Sequence, residues 1–80
     1  MGKIDDDLCR QMFAARLREA RKSKGLTQRQ AAAEFGTAEE VWSRYENGHH
    51  LPTIPMLYRI SKFLECPTDW LLGLQQDRRN

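Results

Sequence analysis

Three groups of side chains in this sequence have the chemistry to bind or react: two cysteines, an adjacent histidine pair, and a crowd of arginines and lysines. Cys9 and Cys66 are too few and too far apart for a disulfide framework, so free thiols in a reducing compartment are expected. His49-His50 has no third ligand close by, and adjacent residues rarely converge on one ion; histidines beside a phosphate are favoured over a metal site. No nucleophile, base and orienting group fall into a set, and no glycine-rich phosphate loop occurs in the sequence. Neither an enzyme nor a cofactor is expected. The net charge of +2 does not announce a nucleic-acid partner, but its distribution says more. Residues 10–30 carry Arg10, Arg16, Arg18, Arg21, Lys22, Lys24 and Arg29 against Glu19 alone, a net +6. Residues 31–47 carry Arg44 against Glu34, Glu39, Glu40 and Glu46, a net −3.

The elements that must position these groups can be read from periodicity and punctuation. Residues 1–9 read as a loose arm running into a helix start. Cys9 to Lys24 contains no Gly or Pro, and Phe13, Leu17 and Ala20 fall on one helical face, which predicts a first helix stopped by Gly25. Thr27 to Gln30 fits a capping box that opens a second helix through Phe35, with Gly36 taking the left-handed end. Thr37 to Glu40 fits a second capping box, opening a third helix to Glu46 that presents Val41, Trp42 and Tyr45. Asn47-Gly48 closes it. Thr53 caps a fourth helix, with Pro55 in its first turn and Ile54, Leu57, Ile60, Phe63 and Leu64 as its buried stripe. Cys66-Pro67 breaks it, and Asp69 to Leu74 reads as a fifth, short apolar helix. Residues 75–80 form a polar tail expected to fray. The expectation is an all-α fold with one domain over residues 10–74, consistent with 80 residues of which 40% are hydrophobic and 30% charged. So short a chain has no deep cleft between lobes. With no signal-peptide core and no apolar run near the ~18 residues that span a bilayer, a cytoplasmic protein without membrane contact is expected.

Two short helices around a glycine-containing turn make a helix-turn-helix unit over Gln28 to Asn47. Ala32 sits where the helices cross, Gly36 sits at the turn, and Ala31, Phe35, Trp42 and Tyr45 face inward. Trp42 and Tyr45 belong to the core rather than to a stacking surface, because they alternate with the outward positions. The sequence here resembles the phage-repressor and Cro type of helix-turn-helix regulator, the lambda-repressor-like family. The resemblance is carried by Leu26-Thr27-Gln28, by Gly36, by Tyr45-Glu46-Asn47-Gly48 and by Asp69-Trp70-Leu71-Leu72-Gly73, and it covers about residues 10–74. It implies a compact five-helix DNA-binding domain with the motif at helices 2 and 3, a partner of double-stranded DNA, and a buried ion pair between Arg21 and Glu46.

The resemblance also implies site residues. Phosphate contacts are expected from Thr27, Gln28, Arg29, Ser43, Asn47 and His49, with Arg10 and His50 weaker and with backbone amides near Gly48 and His49 assisting. Base readout is expected from Ala38, Glu39, Glu40, Val41 and Arg44. Arg44 suits guanine. Glu39 either accepts from cytosine N4 or only complements the helix dipole, and Glu40 serves the capping box. Relatives often have Arg, Gln, Ser or Thr where Glu39 and Glu40 stand. Trp42 is larger, and Ala31 smaller, than the residues usual at those positions, so the two are expected to compensate in volume. A homodimer on a palindromic operator is expected, with Trp70 and Leu71 inward and Leu72 and Leu74 forming the self-association patch. The leading function is a sequence-specific transcriptional regulator, a repressor and prophage-like. The alternative is a protein-interaction module, such as an antitoxin-like subunit, that keeps the fold with weak groove binding. The length leaves no room for a ligand-binding or cleavage domain, so control is expected from concentration, from the dimer equilibrium or from a partner such as a toxin or phage protein.

Overall fold

The computed structural model describes residues 6–78 and contains, among them, five helices and no strand: α1 Asp6–Ser23, α2 Gln28–Phe35, α3 Glu39–Glu46, α4 Ile54–Leu64 and α5 Thr68–Leu71. Helix α3 packs against both α1 and α2, while α5 packs against α1 and α4. The core takes Phe13, Leu17 and Ala20 from α1, Ala31, Ala32 and Phe35 from α2, Trp42 and Tyr45 from α3, Ile60 and Leu64 from α4, and Trp70 and Leu71 from α5. Trp42 is fully buried beside Phe35 and Phe63, with ring centroids 5.6 and 6.1 Å away at steep interplanar angles. Ala31 is equally buried, so a large residue on α3 and a small one on α2 occupy the same core.

The caps explain how α2 is held. Thr27 Oγ1 accepts from the Gln30 N–H at 3.1 Å, and Gln30 Oε1 accepts from the Thr27 N–H at 2.9 Å. Gly36 ends the helix at φ 96°, in the left-handed region where only glycine is unstrained. Thr53 caps α4 in the expected way, accepting from the Met56 N–H.

Five expectations are corrected. Helix α1 already runs at Asp6, the first described residue, rather than starting at Cys9: Asp6 and Asp7 in its first described turn complement the positive end of the helix, and Asp7 accepts from Arg10 one turn on; residues 1–5 of the expected arm lie outside the described residues. Thr37 does not cap α3. Its N–H bonds Ala32 O at 2.9 Å, so it is used in closing α2, and the N-cap is Ala38, which has no side-chain acceptor. Glu40 therefore has no capping box to complete. Ile54 is 78% exposed rather than part of the α4 stripe, since burial on α4 grows only toward its C-terminal end, where α5 follows. Helix α5 is one turn, Thr68–Leu71, because the chain leaves it through Gly73 at φ 80°. Residues 75–78 are tied down rather than frayed: Arg16 donates to Gln75 O at 3.2 Å and to Trp70 O at 2.9 Å, and the Arg78 guanidinium lies 5.4 Å from the Trp70 ring.

Candidate nucleic-acid interface

The interface is organised from its buried side outward. Glu46, at the end of α3, is 1% exposed and has four donors on its two oxygens. Oε2 accepts from Arg21 Nε at 2.6 Å and from Trp42 Nε1 at 2.6 Å. Oε1 accepts from Arg21 Nη2 at 2.9 Å and from Gln28 Nε2 at 3.0 Å. A carboxylate offers about four lone-pair sites, so this one is saturated. Arg21 also donates to Leu26 O at 2.7 Å, at the entrance to α2. Burial pushes the Glu46 carboxyl up, but hydrogen bonds from Arg21, Gln28 and Trp42, with the Arg21 charge, outweigh it and hold it below the usual carboxylate range. One acid thus fixes α1, α2 and α3 relative to one another.

Arg18 was not among the residues singled out from sequence, yet it joins this cluster. It donates to the Glu46 carbonyl at 3.0 Å, and its Nε lies 3.7 Å from Glu46 Oε1. The available signal was its place one turn before Arg21 on α1. The indole N–H of Trp42 was missed as well, because the inward face and the volume of the residue say nothing of where its donor must go.

On the opposite side of α3, Ala38, Glu39, Glu40, Arg44 and Asn47 are exposed, while Val41 and Ser43 are half-buried. The two glutamates are each beside a cation: Glu39 Oε1 lies 3.6 Å from Arg29 Nε of α2, and Glu40 Oε2 lies 3.6 Å from Arg44 Nη2 one turn on. All four side chains are about half or more exposed, so these pairs are weak and readily exchanged for another partner. Val41, Arg44, Tyr45, His50 and Leu51 line a cleft of about 190 Å³ beside this face.

The phosphate candidates divide. Thr27, Gln28 and Arg29 sit together at the start of α2, where the first N–H groups of a helix lack intrahelical acceptors. Gln28 is half-buried and already donates to Glu46. Asn47 and Ser43 bond to each other, Nδ2 to Oγ, at 3.2 Å. His49 and His50 are exposed. The backbone amides expected to help here are not available, because the N–H groups of Asn47, Gly48 and His49 bond Ser43 O, Tyr45 O and Arg44 O in closing α3. Arg10 is half-buried and paired with Asp7.

Comparison with known proteins fits this geometry. The helix-turn-helix family HTH_3 matches residues 17–71. The SPbeta prophage-derived HTH-type transcriptional regulator YonR of Bacillus subtilis is 36% identical over 61 residues, covering 76% of this chain and 56% of that protein. The cryptic phage CTXphi transcriptional repressor RstR of Vibrio cholerae is 40% identical over 58 residues, covering 72% of this chain and 52% of that one. The crystal structure of an HTH_3 family transcriptional regulator from Vibrio cholerae superposes with a TM-score of 0.75 at 28% identity, over 86% of this chain and 39% of that one. The chain spans about half the length of the curated relatives it matches. A motif of two helices locked through one buried acid, together with a match running from Leu17 to Leu71, places the chain in the HTH_3 helix-turn-helix family.

Proposed function

We propose that this chain is a DNA-binding transcriptional regulator, a repressor, that inserts α3 into the major groove and occupies a palindromic operator as a homodimer. The observation that carries the reading is the two-sidedness of α3. Trp42, Tyr45 and Glu46 are buried against α1 and α2, while Ala38, Glu39, Glu40 and Arg44 face outward on the same two turns. The relatives' names as transcriptional regulators and a phage repressor support it. In this reading Arg44 exchanges Glu40 for a guanine edge, Glu39 faces a cytosine N4 and Val41 offers apolar contact. Thr27, Gln28, Arg29, Ser43, Asn47 and His49 meet phosphates. The DNA-reading unit is residues 10–74, and it works in the cytoplasm.

The dimer patch is Leu72 and Leu74. Leu74 is 76% exposed, and both residues border a groove of about 470 Å³ completed by Leu8, Cys9, Met12 and Gly73. A second copy covering this surface makes the homodimer that the reading requires, since a palindromic operator presents its two half-sites about one helical turn apart.

The second reading, a protein-interaction module such as an antitoxin-like subunit, is favoured by one observation: Arg29 and Arg44, the cations of the reading side, are already beside Glu39 and Glu40. A salt titration of binding to mixed-sequence DNA separates the two. The regulator binds at low salt with an affinity that falls steeply as salt rises. Absence of binding at low salt rejects it in favour of the interaction module.

A further inference from the structure

We propose that Glu46 is a positioning residue for DNA as well as a core anchor: it orients the Gln28 carboxamide so that one N–H stays on the protein and the other is presented to a phosphate. The inference rests on the regulator reading. A glutamine carboxamide can be turned either way, and only one orientation gives a carboxylate a donor. Glu46 is acceptor-only and sits 3.0 Å from Gln28 Nε2, so it selects the orientation with the nitrogen inward and leaves one N–H unspent. The remaining lone pairs of Glu46 are occupied by Arg21 and Trp42, which keeps the carboxylate from turning.

Electrostatics favour the same outcome. A lone carboxylate beside Gln28 would repel a phosphate. Here the guanidinium groups of Arg21 and Arg18 both face Glu46, at 2.6 and 3.7 Å, so two cations stand against one anion and the cluster is net positive. The Trp42 indole contributes a donor that an aliphatic residue at this position would lack. The bulky residue in the core therefore also helps set the donor at the surface.

The test is side-chain amide NMR on the full ¹⁵N-labelled chain, free and titrated with duplex DNA at low salt. In the free protein one Gln28 Hε proton is protected from exchange by Glu46. On adding DNA that proton stays protected, while its partner on the same nitrogen shifts. Loss of protection on binding overturns the positioning role while leaving the regulator reading intact. Binding with neither proton perturbed overturns the phosphate contact. No binding at all overturns the regulator reading and this inference with it.

A second measurement uses affinity. Gln28→Met keeps the shape and removes the donor, and weakens binding about tenfold, the effect of one hydrogen bond to a charged group. The salt slope is unchanged, since a neutral amide releases no counterion. Combined with Glu46→Gln, the losses are less than additive if Glu46 acts through Gln28. Strict additivity contradicts that route.

Discussion

At the scale of single residues, Glu46 decides most. An ion pair this deeply buried adds little over a well-packed apolar pair, but removing one partner leaves the other charge stranded. Arg21→Ala is therefore expected to destabilise the chain by about 3–5 kcal/mol in denaturant unfolding. The acid limb of the stability curve follows from the lowered Glu46 carboxyl. A carboxylate favoured by the folded state binds fewer protons there than in the unfolded chain. Its contribution is full above the ordinary carboxylate range and is lost as pH falls through the lowered folded value. Glu46→Gln should be less stable near pH 7 and should lose less stability on acidification; an equally steep acid limb in the variant would assign the pH dependence to other carboxylates. The pair itself was legible through the resemblance to the phage-repressor family, which implies it between Arg21 and the Glu before Asn47-Gly48. The fourth donor, Trp42 Nε1, was not, because volume arguments ignore where an indole N–H must go.

At the scale of elements, caps and glycines carry the local logic. The Thr27 and Thr53 caps and the Gly36 stop could be read directly, since each needs only a local hydrogen bond or a positive φ. Thr27→Ala should cost about 1 kcal/mol of stability. The start of α3 could not be read the same way. Gly36, Thr37 and Ala38 must end one helix and begin another, and the Thr37 amide is taken by Ala32 O, which moves the N-cap onto a residue without an oxygen. The exposure of Ile54 was hidden for a different reason: helical period gives the face but not how far the neighbouring helices reach along it. Two glycines at positive φ separate backbone preference from packing. A Cβ at Gly25 (φ 74°) meets nothing within 4 Å, whereas one at Gly73 (φ 80°) lands on the Met12 side chain, 3.1 Å from Cγ and closer to Cε. Gly25→Ala should cost about 1–2 kcal/mol, the price of a left-handed alanine. Gly73→Ala should cost more and should perturb the Leu8–Met12 face of α1; equal costs would show that Met12 moves aside freely.

At the scale of the whole molecule, the charge map and the apolar surface divide the labour. The net +2 combines a basic stretch over residues 10–30 with an acidic one over residues 31–47. The structure ties the two together: Arg18 and Arg21 of the first stretch meet Glu46 of the second, and Arg29 meets Glu39. Part of the apparent segregation is thus taken up inside the fold, and the acidity of α3 is partly masked on its outer side. The proposed self-association belongs to this scale too. Leu74→Asp should weaken dimer formation in sedimentation velocity, with and without DNA, while leaving the helical signal intact; a wild-type chain that stays strictly monomeric at high micromolar concentration would contradict the patch. The central claim is that the outer face of α3 reads DNA, and selection of bound sequences from a random duplex pool tests it most directly, with the wild type, Arg44→Ala and Glu39→Ala compared. The expected result is a specific two-fold motif in which Arg44→Ala relaxes the preference at a guanine, and Glu39→Ala either relaxes a neighbouring cytosine or, if it serves only the helix dipole, changes nothing there. A specific motif whose base preferences are the same in all three proteins would contradict it.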